Sequence, residues 1–264
     1  MQIKDKRAII TGAASGLGLA FSRELLRNGA MSVVMFDIQE TVGRVVAESL
    51  NSEFGGKRAI FVNCDVTKGC DFDAKFKETV ATLGGVDIVI NNAGIIDEIN
   101  FNHAIDVNVT ALIRCTLLGI QQMGKDSGGK GGVIVNVSSI LGLDGIPQLP
   151  VHSATKHAVL SFSRSFAQPY HYQRTGVRII VLCPGLTATP MMENLNEKKV
   201  TDFEELARMT QNIPPQRAES VAHGIVYMIR CAQNGSVWVS EHGKPVYEIQ
   251  LPDILPIKMK EEFL

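Results

Sequence analysis

The sequence predicts a parallel, doubly wound α/β sheet of seven strands with helices on both faces. Two observations predict it. Short β-branched runs alternate with longer, helix-length stretches, the pattern of strands joined by crossover helices. The runs are also almost continuously apolar, as strands covered on both faces must be. With 264 residues, 45% of them hydrophobic, the chain can bury the core of one such domain, and no linker or internal repeat divides it.

Taken in order, the first strand, Arg7–Thr11, runs into a glycine-rich turn and a helix at Gly16–Asn28. The second, Ser32–Asp37, ends on an acidic residue before a helix at Glu40–Phe54. Ala59–Cys64 closes on Asp65-Val66 and precedes the Phe72–Leu83 helix. Asp87–Asn91 opens into Asn92-Ala93-Gly94 and a long helix, Asn102–Met123. Gly132–Val137 ends before Ser138-Ser139, with the Ser153–Gln173 helix after it. Arg178–Leu182 precedes Pro184-Gly185, and Val237–Val239 follows the Arg217–Cys231 helix. One long interruption, 186–215, carries Met191, Met192, Leu195, Leu206 and Met209 among charged residues. Such excursions at strand C-termini are where open α/β sheets take ligands, so a lid is expected there; a surface excursion packed on itself is the alternative.

Charge and cysteines narrow the function classes. A net charge of −1, from 26 basic and 27 acidic side chains, provides no global field for nucleic acid. No apolar run approaches the about 20 residues that span a bilayer, and no leader precedes the first strand, so a cytoplasmic protein is expected. The five cysteines, Cys64, Cys70, Cys115, Cys183 and Cys231, form no C-x-x-C pair and cannot all pair internally, which suits a reducing compartment. His152 and His157 lack the neighbours of a zinc site, so no metal is expected.

The chemistry starts at Thr11-Gly12-Ala13-Ala14-Ser15-Gly16-Leu17-Gly18. Glycines between a strand and a helix let backbone N–H groups approach a pyrophosphate, and the helix N-terminus favours its charge. Gly12, Ser15, Gly16, Leu17 and Gly18 are the candidate contacts, and no Lys-Ser or Lys-Thr makes the turn a Walker loop. Asp37, about 20 residues on, is placed to accept from an adenosine ribose; with Ile38-Gln39 after it in place of a cation, it would repel a 2′-phosphate. The sheet is therefore expected to be of Rossmann type and the cofactor NAD rather than NADP. Ile38, Cys64, Asp65 and Val66 are expected near the adenine, and Asn92, Ala93 and Gly94 lie on the same sheet edge.

Thr11–Gly18, Asp37, Asn91–Gly94, Ser139, Lys156 and Pro184-Gly185 together resemble the short-chain dehydrogenase/reductase family over the whole chain. Within it the resemblance narrows to an NAD-dependent animal branch, through Asn91–Gly94, Gly128–Ser139, Lys156-His157 and Pro184-Gly185. The resemblance implies that Asn108 holds a water of a proton relay, that Ser139 bonds the substrate oxygen and that Lys156 grips the nicotinamide ribose. Pro184, Gly185, Leu186, Thr187 and Thr189 then border the nicotinamide, with Thr189 on its carboxamide. It also implies a homodimer, or a homotetramer, through the Asn102–Met123 and Ser153–Gln173 helices.

One position departs from the family. The catalytic tyrosine belongs four residues before Lys156, where this chain has His152, thirteen after Ser139; Tyr170 and Tyr172 lie too far along to replace it. An imidazole takes a proton at neutral pH, and beside Lys156 the imidazolium is disfavoured, which biases the site towards oxidising an alcohol. Three readings of the position stand: a working base, a binding protein with little turnover, or an engineered substitution of the tyrosine. The resemblance places Leu149 where that branch carries a polar residue facing its ligand, and the Met-rich excursion suits an apolar secondary alcohol of oxylipin, sterol or isoprenoid type, or its ketone. The tail Tyr247–Leu264 is expected to cover the cleft or a partner subunit.

Overall fold

All seven predicted strands form, with ends moved by no more than two residues. They are β1 (Arg7–Thr11), β2 (Ser32–Asp37), β3 (Ala59–Asn63), β4 (Ile88–Asn91), β5 (Gly132–Val137), β6 (Val177–Pro184) and β7 (Val237–Ser240). The computed structural model describes residues 1–251, and there these strands are parallel neighbours in the order β3-β2-β1-β4-β5-β6-β7. The order reverses at β1 and β4, and the crevice that opens there is where doubly wound sheets take ligands.

The sheet has eight strands and not seven. β8 (Tyr247–Ile249) pairs antiparallel with β7, Val239 opposite Tyr247. Its three residues are largely exposed, so it draws on the free edge of β7 rather than on an apolar pattern. The tail expected to cover a cleft therefore begins as an edge strand, and its remainder, 252–264, lies outside the described residues.

The crossover helices are α1 (Gly16–Arg27), α2 (Glu40–Phe54), α3 (Gly69–Leu83), α4 (Phe101–Ile105), α5 (Ala111–Met123), α6 (Pro150–Phe166), α7 (Pro169–Thr175), α8 (Pro190–Glu193), α9 (Phe203–Thr210) and α10 (Ala218–Cys231). Two predicted helices are subdivided. Asn102–Met123 is interrupted by a π-turn at Asp106–Thr110, and Ser153–Gln173 breaks before Pro169, leaving Tyr170 and Tyr172 on α7. α6 also begins at Pro150, three residues before the expected start, because proline suits a first turn whose N–H has no intrahelical partner.

Alternate strand residues feed two cores, which is why the runs are continuously apolar. Ala8, Ile10, Ile88, Ile90, Val133 and Val135 join Phe21, Leu25, Leu50 and Ile225 on one face. Ile9, Val89 and Ile134 join Phe72, Phe76, Ala111 and Leu118 on the other. One run, Phe101–Met123, is long and apolar enough by composition to cross a membrane, contrary to the expectation of none; half of its apolar window is buried within the protein, as in a core helix.

Candidate active site

The glycine turn is built by exclusion. Gly12 has φ +66° and Gly16 φ +52°, left-handed values that a side chain opposes. A Cβ on Gly18 would stand 2.1 Å from the Gly12 carbonyl, so α1 can approach β1 only with glycine there. Asn92 locks the turn from β4: its Nδ2 donates to the carbonyls of Thr11 and Gly12 at 3.0 and 2.9 Å. Ser15 is the N-cap of α1, and its hydroxyl makes no cap bond.

Asp37 is buried at the end of β2, and its carboxylate accepts from Ala14 N–H at 2.9 Å and Gln39 N–H at 3.0 Å. It therefore braces the glycine turn, and each oxygen keeps a lone pair for another donor. Ile38 beside it is exposed. At the end of β3, Asp65 accepts from the amide and hydroxyl of Thr67 at 2.9 and 2.7 Å. Burial acts to raise the Asp65 pKa, but those bonds, with Lys68 and His103, outweigh it and hold the carboxyl below its ordinary range. Cys64 and Val66 are buried on either side, and burial pushes the Cys64 thiol up to about 11, so it is neutral.

The second cluster forms around Gly94-Ile95. Asn108 sits in the π-turn, fully buried; its Oδ1 accepts from Ile95 N–H at 2.8 Å and its Nδ2 donates to the Ile95 carbonyl at 2.9 Å. Nδ2 also reaches Thr155 Oγ1 at 3.1 Å, and that hydroxyl donates to the His152 carbonyl. His152 Nδ1 lies 3.2 Å from the Ile95 carbonyl. A carbonyl only accepts, so Nδ1 carries the hydrogen and Nε2 the lone pair. Burial first, and then Lys156, lowers the His152 pKa to about 3, so the ring is neutral at physiological pH.

Lys156 stands one helical turn on, its Nζ donating to the Val137 carbonyl at 3.1 Å; burial brings it down to about 8. A Cβ on Gly94 would come within 3.3 Å of Asn108 Oδ1 and 3.5 Å of Lys156 Nζ, so Gly94 leaves the space that both side chains border. Ser139, after β5, accepts from Leu141 N–H, while Ser138 turns inward to the Lys156 carbonyl. Asn108, His152 and Lys156 are thus brought together, and Ser139 borders them without a hydrogen bond to His152 among the described residues.

Beyond β6, Thr187 donates to the Gly185 carbonyl and pairs with Gln216, which also bonds the Ser240 carbonyl. Pro184 is buried beneath this turn, Leu186 accepts from Gln216 N–H, and Thr189 packs near Gly16, linking the two ends of the crevice. From there the 186–215 excursion folds back: Leu195, Val200 and Leu206 cluster with Ile96 and Leu149, with Leu141, Ile146, Met192 and Phe203 alongside. Met191 and Met209, expected with the inward residues, are 37% and 43% exposed, since both fall on the outer side of their short helices.

Glu98 carries no signal in the sequence that marks it for the site. Its carboxylate accepts from Val151 N–H at 2.7 Å and His152 N–H at 2.8 Å, capping α6 from 53 residues away. A helix opening Leu149-Pro150 without a capping side chain of its own signals the need for such an acceptor but does not say which residue provides it.

Sheet order, glycine turn and edge residues define a dinucleotide-binding α/β protein. Residues 6–200 match the profile of the short chain dehydrogenase family. The chain is 32% identical over 266 residues to 15-hydroxyprostaglandin dehydrogenase [NAD(+)] of Mus musculus, covering 98% of each. It is 29% identical over 245 residues to alcohol dehydrogenase 2 of Ceratitis capitata, covering 92% of this chain and 94% of that one. Among solved structures, levodione reductase superposes with a TM-score of 0.78 at 24% identity, over 91% of this chain and 97% of that one, a likeness of fold. The chain belongs to the short-chain dehydrogenase/reductase family.

Proposed function

We propose that the protein is an NAD-dependent dehydrogenase that oxidises a secondary hydroxyl of an apolar small molecule to a ketone, with His152 as the proton acceptor. The observation that carries this is the fixed neutral imidazole: Nδ1–H is held by the Ile95 carbonyl and Nε2 keeps its lone pair. Such a ring accepts a proton and has none to give at Nε2, so oxidation is favoured over ketone reduction. NAD, when bound, takes the hydride from the carbinol carbon. Its fit rests on the glycine turn, where Gly18 lets the N-terminus of α1 close on β1 at the crevice, and on Asp37, whose carboxylate disfavours a 2′-phosphate.

The residues divide the work. Ser139 donates to the substrate oxygen, His152 takes the hydroxyl proton, Lys156 holds the ribose hydroxyls, and Asn108 with the Ile95 carbonyl leads the proton outwards. The 186–215 excursion acts as a lid, its buried Leu195, Val200 and Leu206 packing on Ile96 and Leu149 so that this side of the cleft is backed by apolar residues, which suits an oxylipin, sterol or isoprenoid alcohol. Exposed Phe101, Ile105 and Leu117 on the 101–123 run support a homodimer, with a tetramer as the larger assembly.

A second reading has its own observation. A base with a pKa near 3 has little driving force to take a proton, which suits a dinucleotide-binding protein with little turnover. The deciding experiment measures NADH formed from a panel of apolar secondary alcohols by this protein and by His152→Tyr, after calorimetry has shown that both bind NAD. Turnover by this protein, not bettered by the tyrosine variant, supports the dehydrogenase; turnover by the variant alone supports the binding protein.

A further inference from the structure

The first turn of α6 carries His152, and its free N–H groups are accounted for in an unusual way. Pro150 has no N–H, and the next two, of Val151 and His152, both go to the Glu98 carboxylate at 2.7 and 2.8 Å. Local capping is absent: Leu149 is the N-cap residue and offers no side-chain acceptor. A carboxylate at a helix N-terminus is favoured by both the hydrogen bonds and the dipole, so this is a strong attachment.

Glu98 is also tied to the other side of the cleft. Its backbone N–H donates to the Lys199 carbonyl at 2.8 Å, between the two short helices of the 186–215 excursion. Its neighbour Ile96 packs with Leu149, Leu195, Val200 and Leu206, and Ile95 holds both Asn108 and the His152 ring. The segment 95–98 therefore touches the relay asparagine, the imidazole, the start of α6 and the excursion.

We propose that Glu98 is a positioning residue that ties the excursion to His152, so that seating the excursion over substrate also seats the base. The inference rests on the reading of His152 as proton acceptor, and the two can fail separately. Glutamine at 98 keeps one acceptor and turns an NH2 group towards the other N–H, so one of the two bonds survives; alanine keeps neither.

The test places Glu98→Gln and Glu98→Ala in the native chain and in His152→Tyr. In every background that turns over, kcat falls about tenfold with glutamine and about a hundredfold with alanine, while the Kd for NAD stays within about twofold. An unchanged kcat, or NAD affinity falling in step with it, overturns the proposal. If only the tyrosine background turns over, the reading of His152 fails and Glu98 is judged there.

Hydrogen exchange probes the same tie without turnover. One of the Val151 and His152 amides exchanges at least about tenfold faster in Glu98→Gln than in the native chain, and both do in Glu98→Ala, while the later turns of α6 are unchanged. On adding NAD and an apolar alcohol, the native chain gains protection at residues 195–206 and at those two amides together; in Glu98→Ala only the first gains. Equal exchange of the two amides in the native chain and Glu98→Ala, or equal gains in both, overturns the proposal.

Discussion

The two halves of the crevice are held by different means. At the glycine turn, side chains lock the backbone of residues 11–18: Asn92 Nδ2 donates to two carbonyls of the turn, the Asp37 carboxylate accepts from its Ala14 amide, and a Cβ at Gly18 has no room. At the other end, His152 depends on Ile95 and Glu98 from a different loop, and the wall above it is a small apolar cluster of its own, separate from the two main cores. Both halves draw on distant segments, but the first closes directly on sheet backbone, whereas the second hangs on a loop and an excursion packed outside the two main cores, and it is the part expected to move. Four measurements put that contrast at risk.

The largest effect is expected at His152. Its pKa near 3 in the folded chain lies below the ordinary value, so between about pH 6.5 and 3 the unfolded chain binds a proton that the folded one excludes. Stability from this group is thus present above pH 6.5 and lost as pH falls. Between pH 7 and 4 the loss is about 3 kcal/mol, and urea unfolding at the two pH values should show it shrink by that amount in His152→Tyr. Equal losses in both chains would mean the imidazole is not buried neutral.

Gly18→Ala comes next. Its Cβ meets backbone that cannot withdraw, so overpacking costs about 1–3 kcal/mol in thermal unfolding, and NAD binding weakens at least about tenfold by calorimetry. A neutral alanine would show the turn to be as pliable as the far half.

Asp37→Ala removes the charge set against a 2′-phosphate and the acceptor of Ala14 N–H. The ratio of NADP to NAD dissociation constants should fall about tenfold, mostly through tighter NADP, or about 1.4 kcal/mol. A fixed ratio would assign Asp37 to bracing the turn alone.

Legibility follows the same division. β1, α1 and β2 can be read from the sequence because strand, turn, helix and acidic residue are contiguous and each carries a local signal. Asn108, His152 and Lys156 are found through the family resemblance, yet their setting is not: the π-turn at Asp106–Thr110 shifts the helical phase by one residue and leaves no mark in composition. Glu98 looks like any loop carboxylate until the fold brings Val151 to it. β8 escapes because three residues, two of them exposed, are too short for an apolar period and have only a neighbour with unpaired edge groups.

The smallest expected effect separates the halves most sharply. Leu206 is buried in the cluster with Ile96, Leu149, Leu195 and Val200, and in a main core its loss to alanine would cost about 2–5 kcal/mol. If this separate cluster opens locally before the sheet unfolds, Leu206→Ala changes global unfolding by less than about 1 kcal/mol. The loss should instead appear as a rise of about threefold to tenfold in KM for an apolar alcohol, with the Kd for NAD unchanged, because the packing behind the proposed substrate side is reshaped and the glycine turn is not. If Leu206→Ala lowers global stability by the full core amount, the excursion is a fixed part of the fold, and the contrast between a rigid cofactor half and a movable substrate half falls with it.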